Sequence, residues 1–160
     1  MKKINPEYAQ AIMKVANTGP YLRLLPMKII ELDYGYCKVE TEITDKLYNP
    51  FGSVHGGVFS SVLDTATFWA FACCIEDGQG FTTIDLQVSH LAGIKEGKII
   101  AEGKQVKIGR TICLAESTLK DEKGKLLAHG TSKILITNAL QPLEQAVAKA
   151  GFGMLPPKFL

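Results

Sequence analysis

The chain lacks an excess of charge of either sign: 18 Lys and Arg face 16 Asp and Glu, a formal net charge of +2 over 160 residues. Non-specific nucleic-acid binding draws on a strong basic excess, so a polyanionic polymer is not an expected partner. Cysteine is scarce too. Cys37, Cys73, Cys74 and Cys113 form no CxxC and no regular spacing, which argues against a disulfide scaffold and predicts free thiols in a reducing, cytoplasmic setting. His55, His90 and His129 stand on separate segments without HxxxH spacing, so no metal site is expected. The opening MKKINPEY meets polar residues and proline before any apolar core, which does not read as a leader peptide.

What is present suits a folded core. At 46% hydrophobic and 21% charged, the composition is neither disordered nor membrane-like, and the length fits one domain spanning residues 1–160. Asn5-Pro6-Glu7 offers a cap, a proline and an acid for a short helix that Gly19-Pro20 stops. The runs IIEL and YCKVETEIT read as two strands around an Asp33-Tyr34-Gly35 turn. The longest apolar stretch, His55 to Cys74, is a buried helix or a membrane span. The span reading places Ser60, Ser61, Asp64, Thr65 and Thr67 near a bilayer centre, where an ionised carboxylate costs about 2.5–3.5 kcal/mol, so a core helix is preferred. Four β-like runs follow, FTTIDLQVSHL, GKIIAEGKQVK, RTICLAESTLK and KLLAHGTSKILIT, with turn-rich boundaries that predict a meander of antiparallel hairpins. A weak helix from about Pro142 to Ala150 precedes the tail GFGMLPPKFL, whose apolar residues are expected to pack on the body or on another subunit. A helix apolar on nearly every side needs a sheet curved around it, so the fold class is α+β.

Chemistry concentrates around that helix. Gly56-Gly57 at its start allow close approach to N–H groups that lack internal acceptors, a site for an anion or a carbonyl oxygen; the plain alternative is a tight turn. Asp64 sits mid-helix among apolar residues and must be compensated, by Ser60, Ser61 and Thr67 in a polar notch or by a neighbouring strand. It is a tuned catalytic carboxylate or a structural one. Eight residues, about 12 Å of helix, separate Gly56 from Asp64, so cooperation on one carbonyl needs a second subunit. Lys104, Lys107 and Arg110 around Gly109 suit phosphate contact, or are a solvated hairpin. Phe59, Phe68, Trp69 and Phe71 are core by default.

Asn49…His55-Gly56-Gly57…Asp64, then Thr82-Thr83-Ile84-Asp85-Leu86-Gln87-Val88 and Gly109-Arg110-Thr111, resembles the PaaI-like branch of the hotdog-fold acyl-CoA thioesterases, from about Leu22 to Thr137. The resemblance implies an antiparallel sheet wrapped around one long central helix, paired into homodimers and dimers of dimers with sites between subunits. It implies hydrolysis of acyl- or aryl-CoA thioesters, with Asp64 as general base or nucleophile, Gly56 N–H and the Asn49 amide on the thioester oxygen, and Thr83 bound to Asp64 or to water. His55, Gly57, His90, Gly109, Arg110 and Thr111 would bind substrate. Coenzyme A enters only as part of that substrate, with no separate cofactor. Gly93 stands where the family usually has proline. The competing readings are a non-catalytic acyl-CoA binding module and a thioester hydratase or dehydratase of the same fold. A catalytic His55 is disfavoured, because its charged form would sit against a positive helix end.

Overall fold

The computed structural model describes residues 3–160. Asn5 caps α1 (Pro6–Asn17) by accepting the Glu7 N–H at 3.1 Å, and Tyr8, Ala9, Ile12 and Ala16 bury its apolar face. Gly19-Pro20, expected only to stop that helix, also immediately starts a second, α2 (Pro20–Leu24). Proline breaks a helix from within yet suits its first position, so one residue does both jobs. Strands β1 (Met27–Asp33) and β2 (Tyr36–Glu42) form the expected hairpin, with Gly35 at φ +69° in the turn.

The central helix, α3 (Gly56–Ala70), is shorter than the apolar run that announced it. From Phe71 to Ile75 the chain tightens into a turn closed by the Phe71 and Cys74 N–H groups on carbonyls three residues back. Phe71, Ala72, Cys73 and Ile75 remain buried. Apolar composition therefore marked burial correctly and helix length incorrectly, since it carries no cue for where the hydrogen-bond pattern changes.

Strands β3 (Gly80–His90), β4 (Lys98–Lys107), β5 (Ile112–Asp121) and β6 (Leu126–Thr137) complete one antiparallel sheet in the order β1-β2-β4-β5-β6-β3. The expected four-strand meander holds only for β4, β5 and β6. Strand β3 pairs with β6 at the far edge, because β4 already has β2 and β5 as neighbours. All six strands pack against α3, so the sheet curls around the helix as expected. Helix and sheet come close at Gly103 on β4, where an added methyl group would overlap the Ala66 carbonyl of α3.

The last helix, α4 (Leu143–Lys149), lies within the predicted range. The tail after it packs on the body: the Asn5 N–H donates to the Lys158 carbonyl at 2.9 Å, and Lys158 Nζ meets Asp77 at 2.7 Å and the Ile75 carbonyl at 2.6 Å. Among the described residues, no helix is long and apolar enough to cross a membrane.

Candidate active site

Asp64 lies halfway along α3 on the floor of a cleft of about 570 Å³. Helix α2 forms one wall through Tyr21 and Leu22, and β3 forms the other through Thr83, Ile84 and Leu86. The carboxylate is half-buried, and its Oδ1 accepts the Thr83 hydroxyl at 3.0 Å. Burial pushes its pKa above the ordinary carboxylate value, and the Thr83 hydrogen bond draws it partly back. Oδ2 makes no hydrogen bond among the described residues and is not sealed from solvent.

The polar notch expected within the helix is not what holds Asp64. Ser60, Ser61 and Thr67 each turn their hydroxyl onto a carbonyl one turn back, those of Gly56, Gly57 and Leu63. The partner comes from across, on β3. A β-bulge between Thr83 and Asp85 leaves Ile84 without a partner in the ladder. Thr83 turns to α3 while Asp85 accepts Lys133 Nζ at 2.7 Å. A catalytic and a structural carboxylate would both accept this bond.

At the start of α3, His55 Nδ1 accepts the Gly57 N–H at 2.8 Å, which leaves the ring proton of neutral His55 on Nε2. His55 thus caps the helix. The Gly56 N–H makes no hydrogen bond among the described residues. Beside it stands His90, whose ring stacks on Phe59 at 5.8 Å and whose Cε1 would lie 3.1 Å from a Cβ at Gly56. Glycine keeps that corner open. The Asn49 side chain is tied into its own turn: Oδ1 accepts the Phe51 and Ser53 N–H groups, and Nδ2 donates one hydrogen to Ser53 Oγ at 3.1 Å. One amide hydrogen remains.

Two groups of residues are therefore formed, and a single chain keeps them apart. Gly56 and His90 are adjacent, as are Asp64 and Thr83, yet the groups are about 12 Å apart along α3 and about 23 Å apart along β3. Gly109, Arg110 and Thr111 form the β4–β5 turn, away from both. There Arg110 lines a separate cavity with Cys74 and Glu76, beyond the end of α3, and Thr111 spends its carbonyl on the Ile136 N–H. Of the aromatics, Phe68 and Trp69 reach the cleft, while Phe59 and Phe71 are core. Tyr21 is the cleft residue that sequence reasoning missed. Its only signal was the Gly-Pro pair just before it, read as a stop. Burial raises the Cys73 and Cys74 thiols to about 12 and lifts those of Cys37 and Cys113 as well, so none offers a ready thiolate.

Residues 51–128 match the family described as the thioesterase superfamily. A 1,4-dihydroxy-2-naphthoyl-CoA hydrolase from Listeria monocytogenes is 30% identical over 101 residues, covering 63% of this chain and 82% of that protein. The proofreading thioesterase EntH of Klebsiella pneumoniae is 24% identical over 119 residues, 74% of this chain and 87% of its own length. Among solved structures, a thioesterase from Haemophilus influenzae superposes with a TM-score of 0.78 at 20% identity, covering 88% of this chain and 98% of that one.

Proposed function

The chain belongs to the thioesterase superfamily and is a thioester hydrolase of the hotdog fold, and from that premise we propose that it cleaves acyl- or aryl-CoA thioesters with Asp64 as the reacting carboxylate. The observation that carries this reading is the pair Asp64–Thr83 at 3.0 Å, with Oδ2 free in a cleft. Thr83 fixes the rotamer of the carboxylate, and partial burial keeps it basic enough to take a proton. In the general-base form, water adds to the thioester carbon as its proton passes to Asp64. The carbonyl oxygen becomes an oxyanion, the C–S bond breaks, and the thiolate leaves and is protonated. In the nucleophilic form, Oδ2 attacks first, the C–S bond breaks and the thiolate leaves, and water then hydrolyses the mixed anhydride to the free acid and the Asp64 carboxylate.

The oxyanion needs fixed donors, and the unpaired Gly56 N–H with the spare Asn49 hydrogen are suited to it. They stand too far from Asp64 in the same chain, so the reading requires a homodimer. Strand β3 supplies the means, since it is a sheet edge with one side unpaired. Antiparallel pairing of two β3 edges about a two-fold axis between Leu86 and Gln87 sets Thr83 opposite His90 of the second copy. That register brings Asp64 and Thr83 of one subunit to the Gly56 and His90 corner of the other, twice per dimer. Arg110 at the β4–β5 turn is then a phosphate contact for the nucleotide end of coenzyme A.

The test is release of free thiol from a panel of short, medium, long-chain and aryl-CoA esters. Turnover of at least one ester is expected. Saturable binding across the panel without thiol release would mean that the chain carries CoA esters rather than cleaving them.

A further inference from the structure

The cleft that holds Asp64 is closed on one side by a part of the chain outside residues 51–128, the segment matching the family. Helix α2 lies there. Tyr21 and Ser61 stand with their hydroxyl oxygens 2.7 Å apart, and Ser61 already donates its own hydrogen to the Gly57 carbonyl at 3.0 Å, so Tyr21 is the donor. A hydrogen bond thus ties a phenol ring of α2 to α3 less than one turn before Asp64. Tyr21 is 53% exposed, unusual for an aromatic held this way and consistent with a ring that borders a space rather than filling the core.

We infer that the Tyr21 ring is the stop that sets the length of the acyl group, so that the site takes a short or single-ring acyl moiety and turns away extended chains. The inference rests on the thioesterase reading of this cleft. Its dimensions follow from the helix on its floor. From Ser61, beneath Tyr21, to Trp69 at the other end is eight residues, about 12 Å, and Asp64 stands about 4.5 Å from the Tyr21 end. A thioester carbonyl placed at Asp64 therefore has about 4.5 Å along the helix towards Tyr21 and about 7.5 Å towards Trp69. An extended chain advances roughly 1.2 Å per bond, as the backbone itself does, so a ten-carbon acyl chain needs about 11 Å. With its carbonyl at Asp64 it overruns the Tyr21 end and the Trp69 end alike. A single ring is short enough, and Tyr21, Leu22, Phe68, Trp69 and Leu86 give the cleft an apolar, aromatic lining.

The experiment compares kcat/KM for benzoyl-CoA and decanoyl-CoA in the wild-type protein, Tyr21→Ala and Tyr21→Phe. Wild type should prefer benzoyl-CoA. Tyr21→Ala should raise the decanoyl-to-benzoyl ratio at least about tenfold, the scale on which pockets discriminate by size. Tyr21→Phe keeps the ring and loses the bond to Ser61, and its decanoyl-to-benzoyl ratio should stay within about threefold of the wild-type ratio. An unchanged ratio in Tyr21→Ala, or an equal shift in both variants, would overturn the stop. If neither ester nor any other in the panel released thiol from the wild-type protein, the thioesterase reading of the cleft would fail first, a result distinct from a failure of Tyr21 alone.

Discussion

Asp64 carries two opposing influences on its charge, burial that disfavours the anion and a Thr83 hydrogen bond that favours it, and burial wins. A base raised in this way predicts that kcat/KM falls on the acid side with an apparent pKa above the ordinary carboxylate value of about 4. Replacing Asp64 by Ala should lower kcat by about 10²- to 10⁴-fold while the circular dichroism spectrum is retained. Near-normal turnover of that variant would take Asp64 out of the chemistry. Stability should move the other way. The folded-state pKa lies above the unfolded one, so the unfolded state binds fewer protons through that interval and stability is lost as pH rises through it. Asp64→Asn keeps an acceptor for Thr83 and removes the half-buried charge. Its Tm should exceed that of wild type at about pH 8, and the gain should vanish below about pH 4, where Asp64 is protonated in both states. Equal Tm values at both pH values would show that the carboxylate is not held at the expense of stability.

At the scale of elements, the close contact of α3 with β4 fixes the floor of the cleft. Gly103 permits it, so Gly103→Ala should destabilise the protein by about 1–3 kcal/mol or more in urea unfolding, because the added methyl group meets the Ala66 carbonyl rather than a side chain that can turn away. An unchanged midpoint would mean that the helix can lift from the sheet freely. The β4–β5 turn makes a separable claim. Arg110→Glu should raise KM for CoA esters much more than for a pantetheine thioester, which lacks the nucleotide phosphates; equal effects on both would place Arg110 outside the nucleotide site. How legible these elements were follows from their physics. The cap at Asn5, the turn at Gly35 and the alternation along β5 are local, and each was readable. The pairing of β3 with β6 is set by which edges remain free after β2 and β4 have met, and no window of sequence contains that. The end of α3 at Ala70 was hidden because burial continues past it. Thr83 was legible only through resemblance, since its approach to Asp64 depends on a bulge at Ile84 that residue types alone do not announce. Tyr21 was not legible at all, as Gly19-Pro20 reads equally as a stop and as a start.

At the scale of the whole molecule, the proposed mechanism needs two half-sites that one chain holds apart, and the free edge of β3 is the surface through which a second copy would join them. The most direct measurement mixes two inactive proteins, Asn49→Ala and Asp64→Ala, unfolded and refolded together. Every mixed dimer then has one site with both lesions and one with neither. With random pairing half the dimers are mixed and half of their sites are intact, so thiol release should return to about a quarter of the wild-type rate. If mixed dimers form and the mixture stays as inactive as its parents, the site lies within one subunit and the composite mechanism is wrong.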